Sequence, residues 1–551
     1  MKFGMSKQKY NLILLNAFFI LEYLLFQSYA YREAIGKIPR NWDQVYYMVV
    51  SYKMYDSIVS RNLDAFLSIF NAGVKTSGIS LIGTVNLFLF GRTHFSFLLL
   101  NFFAFLLAQI IGSVAIYRIL NKWIYVWTWI GLFIGLQTPF YWAGDLLDFR
   151  ADFVAFCLYT SWFCLYITFL YSKEEKYCKL SAVFGGLLIF FRMLTITYIG
   201  SVLVIFVFID VFLFHKKLKA IIKQYIVYLG IMIVCGGWLA ILCIGKTFSY
   251  YYNLHAINLE PEIRRIEQQV YSLWDEILFY PKSLMNDHLG KVYLGSFIVI
   301  LIVIVCIAIK KLYIKEKMTW KGKEMLAFAI ISIVTPMVIL TIDESKSSVV
   351  GGIVSGCIVF ISVISIYLII NKYLGWLKKI ILIGCCCVGV YNYIINSIGE
   401  QRGYSREEQL ALININTSIA EYIIDKDINN SEMLVDHLCD GIGSIVSTYW
   451  ISAVYEEPYY VDDATYLMSF NESGDTLESQ VAHRFEKNEI NEALDKADII
   501  VVSEEGYSES LYITDKSLDQ YREQIWNYAT QNLDLLLEDQ AYGTTISVFA
   551  R

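Results

Sequence analysis

Apolar residues run through the first 398 positions in long blocks, without the three-to-four-residue alternation of a surface helix. A helix that crosses a bilayer needs about 20 mostly apolar residues. Eleven stretches meet or approach that length: 10–30, 95–117, 123–143, 152–171, 180–197, 199–214, 222–245, 291–309, 325–342, 350–371 and 379–397. The pair at 180–214 reads either as one long tilted helix or as two short ones meeting at Tyr198-Ile199-Gly200. Residues 43–60 and 62–72 mix Tyr, Met, Val and Phe with Lys53, Asp56, Arg61 and Asp64, which suits short helices lying in the interface. A further helix is expected from Pro261 to Leu284, in a loop rich in Tyr250, Tyr251, Tyr252, Trp274 and Tyr280.

After residue 398 the pattern becomes that of a soluble α/β unit. An amphipathic helix is expected at 405–425, strands at 433–438, 497–503 and 543–550, and a helix at 515–533. About 150 residues can bury a core of their own, and strands alternating with helices suggest a small doubly wound domain. The expected fold class is therefore a polytopic α-helical membrane protein of about eleven spans, residues 1–398, with an extracytoplasmic α/β domain at 399–551. Asp440-Gly441-Ile442-Gly443 lacks the third glycine of a nucleotide-binding turn and carries no such reading.

Composition agrees: 17% of the 551 residues are charged and 56% are hydrophobic, against roughly 25% charged in a soluble domain. A net charge of -6 excludes a basic nucleic-acid-binding protein, and 11 cysteines, nearly all in apolar blocks, exclude a disulfide scaffold. Only Cys439 falls in the tail. The 16% aromatic content reads mainly as lipid-facing bulk and interfacial belts. The net charge conceals two parts, since residues 399–551 hold 30 acidic and 9 basic residues, or -21, which leaves +15 for the rest.

That basic excess gives the topology, because Lys and Arg in short loops mark the cytoplasmic side. Clusters at Lys2/Lys6/Lys9, Arg118/Lys122, Lys173/Lys176/Lys179, Lys216/Lys217/Lys219, Lys310 to Lys323 and Lys372/Lys378/Lys379 fall at every second loop if 180–214 is a pair of helices. The N-terminus is then cytoplasmic, and the loops at 31–94, 144–151, 246–290 and 343–349 share the far face with the tail. Ser28-Tyr29-Ala30 has the small-x-small form of a cleavage site, but the preceding apolar run is long for a signal peptide, so the first span reads as an uncleaved anchor.

Ionisable groups near membrane depth are costly and mark function. They gather on the far face. Asp43, followed by Gln44, Val45 and Tyr46, opens the first loop, and Gly144-Asp145-Leu146-Leu147-Asp148-Phe149-Arg150-Ala151-Asp152 packs three carboxylates and a guanidinium between apolar blocks. Arg192 lies inside an apolar run, and Lys346 sits in the last far-side loop. Asp43 also suits a helix N-cap. His94, His255 and His288 read as loop residues without a ligand role, since no paired-histidine spacing occurs.

The order of these features resembles the C-type membrane glycosyltransferases, a superfamily that includes the protein O-mannosyltransferases and the lipid A aminoarabinose transferases. The likeness rests on Asp43 opening a loop of interfacial helices, on Leu89-Phe90-Gly91 before the next span, on Asp148-Phe149-Arg150-Ala151-Asp152, and on Tyr280-Pro281-Lys282 through Leu289-Gly290. Where many relatives have Asp-Glu in the first loop, this chain has Asp43-Gln44. The resemblance implies transfer of a sugar, with inversion, from a polyprenyl-phosphate-linked donor to a hydroxyl of a glycan, lipid or protein acceptor on the outer face of a bacterial cytoplasmic membrane. Asp43 would be the base, with Asp148 and Asp152 catalytic or holding a divalent cation (Mg2+ or Mn2+). Arg150, Arg192, Lys346, Asp145 and Tyr46 would bind substrate. The rival readings are a transporter or lipid flippase and a catalytically inactive relative acting in cell-envelope assembly.

Overall fold

The computed structural model describes residues 7–39, 42–72, 77–245, 260–290, 293, 320–373, 377–399, 404–435, 441–464, 489–504 and 522–551. The expected span 291–309 apart from residue 293, the basic cluster from Lys310 to Lys317, His255, Tyr250 to Tyr252, Cys439 and Asp440 lie outside them.

Helix α1 is Lys7–Glu33, followed by α2 (Trp42–Val59), α3 (Leu63–Ala72) and α4 (Ser77–Phe90) in the first long loop. The body continues with α5 (His94–Leu120), α6 (Trp123–Ile134), α7 (Ala151–Ser172), α8 (Glu175–Phe191) and α9 (Thr195–Phe212). Helix α10 (Leu218–Met232) runs through a widened turn into α11 (Trp238–Leu242). Two loop helices, α12 (Glu260–Glu267) and α13 (Leu273–Ser283), precede α14 (Trp320–Ile342), α15 (Ser355–Tyr373) and α16 (Leu377–Ile398). Among the described residues, eight helical segments are long and apolar enough to cross a membrane. Two other expected spans form shorter helices: α6 has 12 residues before its chain turns at Gly135, and α8 has 17.

Segment 180–214 is a pair of helices, and the break falls at Arg192-Met193-Leu194 instead of the expected Tyr198-Ile199-Gly200. Helix ends leave carbonyls without partners. Here the Thr195 hydroxyl lies 2.6 Å from the Arg192 carbonyl and 3.2 Å from that of Leu188.

Helix α7 is the axis of the body, with 94% of its most apolar window buried inside the protein. Many of the aromatics pack there and do not face lipid. Trp129, Trp162, Tyr159 and Tyr166 are fully buried, and Tyr166 stacks on Phe328 of α14 at 4.3 Å. Such rings interlock at centroid spacings of about 4.5–7 Å. Other rings, such as those of Phe208 and Phe212, are exposed. Helices α6 and α16 meet backbone to backbone, since a Cβ on Gly389 would fall on the Gly131 carbonyl, the close approach that small residues permit in membranes.

The expected alternation of loops is visible as two sets of contacts. At one end Lys173 pairs with Glu324, Lys216 lies 2.7 Å from Asp210 and 3.4 Å from Glu324, and Arg118 pairs with Glu174. At the other end Arg32 reaches the Ser397 carbonyl at 2.7 Å, and the loops around residues 43, 150, 288 and 348 converge.

The tail begins with α17 (Arg406–Asp425), which is closed by a capping box between Ser405 and Glu408. Strand β1 (Ser431–Val435), α18 (Ser444–Trp450), β2 (Val461–Asp463), α19 (Glu489–Lys496), β3 (Ile499–Ser503), α20 (Arg522–Asn532), β4 (Asp534–Ala541) and β5 (Thr544–Ala550) follow. The sheet order is β2-β1-β3-β5-β4, parallel across β2, β1 and β3 and antiparallel at both β5 edges. The doubly wound expectation therefore covers only half of the sheet. Tyr542 and Gly543 both have positive φ, at 54° and 76°, the signature of a two-residue turn that makes β4 and β5 a hairpin.

One face of the sheet and α17 join the hydrophobic core of the helical body through Leu412, Ile415, Met433 and Val501. The other face packs α19 and α20 through Leu434, Leu494, Ile500 and Ile525. Arg92 ties the two parts together: it lies 2.7 Å from Asp56 and donates to the Ser452 carbonyl at 2.8 Å.

Candidate functional site

The turn between α6 and α7 is held by its own acidic residues. Asp145 accepts from the Leu147 N–H at 2.8 Å, and Asp148 accepts from the Gly144 N–H at 2.6 Å. Short Asp side chains are suited to this because they can reach backbone amides a few residues away. From α5 the buried Asn101 amide lies 2.8 Å from the Asp148 carbonyl, 3.2 Å from that of Asp145 and 3.3 Å from that of Leu146. From α2, Gln44 donates to the Leu147 carbonyl at 3.0 Å. Asp145 and Asp148 are both buried and both shape the turn, and the Asp148 carboxylate also acts on Arg150.

Gly144 is required twice. Its φ is +64°, and a Cβ there would stand 2.7 Å from Val349 and 3.0 Å from the Asp152 Cβ.

The turn delivers Arg150 and Asp152 to the start of α7, opposite the first turn of α2. Arg150 lies 2.9 Å from Asp43 and 3.4 Å from Asp152. Arg192, at the break between α8 and α9, donates to the other Asp152 oxygen. The result is an alternating chain, Asp43, Arg150, Asp152, Arg192, drawn from three separate stretches of sequence. Asp152 is its buried centre, 7% exposed, and Asp43 its more open end, 27% exposed. Burial alone would push Arg150 down, but the carboxylates of Asp43 and Asp148 outweigh it and hold the guanidinium above its ordinary value. A small cavity of about 10 Å³, the size of one water, lies beside Asp152 and Arg192, bounded also by Gly144, Tyr198, Val349 and Gly352. Tyr46 sits one turn along α2 from Asp43 and is half-buried.

Lys346 is not part of this chain. Its side chain is 0% exposed, it donates to the carbonyls of Thr341, at 2.7 Å, and Asp343, and it lies 3.4 Å from Glu276. Burial lowers its proton affinity, and Glu276 offsets part of that. Lys346 therefore fastens the last far-side loop to α13. His94 and His288, expected as loop residues, are both buried. His94 faces the Tyr449 hydroxyl at 2.9 Å through Nδ1, and His288 Nε2 lies 2.8 Å from the Ser348 carbonyl.

Reading along the chain misses Glu22. It is buried in α1, where Gln109 of α5 donates to it at 2.7 Å. A lone carboxyl in an otherwise apolar block was the signal. Asn101, a polar residue within the block 95–117, gave a similar one.

Among the described residues, no group of three His, Cys, Asp or Glu side chains is placed to hold a metal ion. A divalent cation on Asp148 and Asp152 would have to compete with the two guanidiniums that already pair with Asp152.

No protein-family model and no curated protein matches the chain. Among solved structures, ArnT from Cupriavidus metallidurans in the apo state is similar with a TM-score of 0.61 at 11% identity, over 98% of this chain and 98% of that one. The structure of ArnT from the same organism bound to undecaprenyl phosphate is similar with a TM-score of 0.54 at 10% identity, over 97% and 98%. The likeness is one of fold, and it extends through the tail. The chain shares the fold of these ArnT structures, helical body and tail together.

Proposed function

We propose that this multi-pass membrane protein is a glycosyltransferase. It takes a sugar from a polyprenyl-phosphate-linked donor and passes it, with inversion, to an acceptor hydroxyl on the extracytoplasmic face of a cell membrane. The observation that carries this reading is the alternating Asp43, Arg150, Asp152, Arg192 chain gathered at one end of the bundle. The fold supports it, since one ArnT structure of that fold holds undecaprenyl phosphate. The basic loops at the opposite end support a cytoplasmic N-terminus and an extracytoplasmic tail.

In this reaction the bond between the anomeric carbon and the phosphate oxygen breaks, and one from that carbon to the acceptor oxygen forms on the opposite face. The acceptor proton passes to Asp43, the most open carboxylate of the chain, as a general base. The leaving polyprenyl phosphate gains negative charge, which preorganised cations stabilise strongly at a site shielded from water. Arg192 and Arg150 supply that charge, and Asp152 holds both guanidiniums in position until the phosphate arrives. Two arginines thus take the place of a divalent cation.

The test uses the purified full chain and a panel of short-chain polyprenyl-phosphate sugars. Turnover of one donor, lost in Asp43→Asn with donor binding retained, is the expected result. Neither binding nor turnover of any donor by the unaltered chain would sink the proposal. The transporter reading draws its support from Glu22, a carboxyl buried at span depth. Counterflow of a polyprenyl-phosphate lipid across proteoliposomes without sugar transfer would favour it.

A further inference from the structure

A second cleft lies at the opposite end of α2 from Asp43, where the helix meets the tail sheet. Its volume is about 490 Å³, within the roughly 300–1,000 Å³ of small-molecule sites. Lys53, Asp56 and Ser60 of the first loop form one wall, and Asn430 and Tyr460 of the tail form the other. Asp56 is thirteen residues beyond Asp43 on the same helix, or about 20 Å along its axis at 1.5 Å per residue. A ligand filling this cleft does not touch the Asp43 chain unless it is extended.

The chemistry of the walls selects the ligand. Each charge in the cleft already has a partner: Lys53 lies 3.6 Å from Asp462, and Asp56 is held by Arg92 at 2.7 Å and by the Tyr460 hydroxyl. An anionic ligand at Lys53 would face the Asp462 and Asp56 carboxylates, and a cationic one would have to compete with Arg92 for Asp56. The tail's charge of -21 also repels anions. A neutral polyhydroxylated ligand need break no pair. It can use the remaining N–H groups of Lys53, the remaining lone pairs of Asp56 and the Ser60 and Asn430 side chains. The apolar surfaces of Val59, Ile69 and Pro458 line the same cleft and suit the C–H faces of sugar rings.

We propose that this cleft is an acceptor subsite that holds the distal part of a neutral oligosaccharide, with α2 as the ruler between it and Asp43. The inference rests on the glycosyltransferase reading for the word acceptor. The binding itself does not depend on turnover.

The experiment measures binding of neutral maltose-series, dextran-series and chitin-series oligosaccharides of one to eight units to the detergent-solubilised full chain by saturation-transfer NMR, with sulfated oligosaccharides as the anionic comparison. Ser60→Trp fills the cleft from an exposed position, and Val59→Asn removes an apolar surface at a residue 58% exposed, so both leave the fold intact. The expected result is binding of neutral chains of three or more units, weakened at least tenfold by either variant. Binding of no neutral chain, binding untouched by both variants, or preference for the sulfated chains would overturn the subsite. If the subsite fails, turnover onto a short acceptor can still stand. If turnover fails for every donor, the reaction proposal falls while cleft binding remains measurable.

Discussion

Replacing Arg150 by methionine removes the central cation of the site while keeping most of its volume. Arg150 stands 2.9 Å from Asp43 and 3.4 Å from Asp152. At an effective dielectric of about 20 these contacts correspond to gross attractions of about 6 and about 5 kcal/mol. Most of that is offset by the desolvation of three charged groups, and removing one partner of a fully buried pair costs about 3–5 kcal/mol. This site is not sealed, with Arg150 18% and Asp43 27% exposed, and Asp152 keeps Arg192. The expected loss of stability is about 2 kcal/mol. The expected loss of turnover is larger, about 100-fold or more in kcat, the scale seen when a preorganised electrostatic group is removed.

The assay pairs donor turnover with thermal unfolding in detergent for Arg150→Met, Arg150→Lys and Asp43→Asn/Arg150→Met. Lysine restores a charge but not the fork that spans two carboxylates, so it should recover stability better than activity. The double variant removes both members of the outer pair, so it should regain much of the stability and none of the turnover. Turnover of Arg150→Met within threefold of the unaltered chain would refute the reasoning, because the working site would then have no need of the bridge between Asp43 and Asp152.

Gly144→Ala meets Val349 and Asp152 and a left-handed backbone at once, and should cost about 1–2 kcal/mol and most of the turnover; normal activity would show that Asp152 can shift freely. Burial pushes His288 down to about 4, against the pull of the Ser348 carbonyl, from an ordinary value of 6.5. The unfolded chain therefore takes up a proton first, so this contribution to stability is complete above about pH 6.5 and is lost as pH falls towards 4. The loss amounts to about 3 kcal/mol; His288→Gln should flatten that part of the melting-temperature profile, and an unchanged profile would exclude the assignment. Treatment with EDTA should leave turnover unchanged, and restoration of lost activity by Mg2+ or Mn2+ would return the metal to the site. Glu22→Gln keeps a hydrogen-bonding partner for Gln109, so it should leave turnover within about threefold; loss of turnover with the fold intact would make Glu22 part of the working machinery.

How much of this was legible depends on the distance over which each feature is determined. Spans such as α5 and α7 are set by their own composition, so their extent could be read directly. Helix ends depend on single hydrogen bonds, which is why the break near Arg192 was expected at Gly200, a residue that α9 accommodates. Strand β4 carries Asp534, Glu538 and Asp539 on a partly exposed edge, so its pattern lacks the apolar run that made β3 plain. The hairpin turn at Tyr542-Gly543 then converts a parallel expectation into a mixed sheet.

The charges at the end of the bundle that holds Asp43 could be picked out one by one, because each is costly near membrane depth. Their division of labour could not, since it depends on partners far away in sequence. Asp148 and Asp152 are four residues apart and look equivalent on paper. Asp148 is turned inward, where its carboxylate meets the Gly144 amide and its carbonyl meets Asn101, 47 residues earlier. Asp152, at the start of α7, is turned towards Arg192, 40 residues later. Four residues therefore separate a carboxylate that ties the loop together and adds its charge beside Arg150 from one that pairs directly with both guanidiniums. The same logic separates Arg192 from Lys346: both are isolated cations in the sequence at this end of the bundle, but only Arg192 stands at a helix break that brings it to Asp152. A substitution at Asp148 should therefore act on stability and turnover together, whereas one at Asp152 should cost turnover out of proportion to stability.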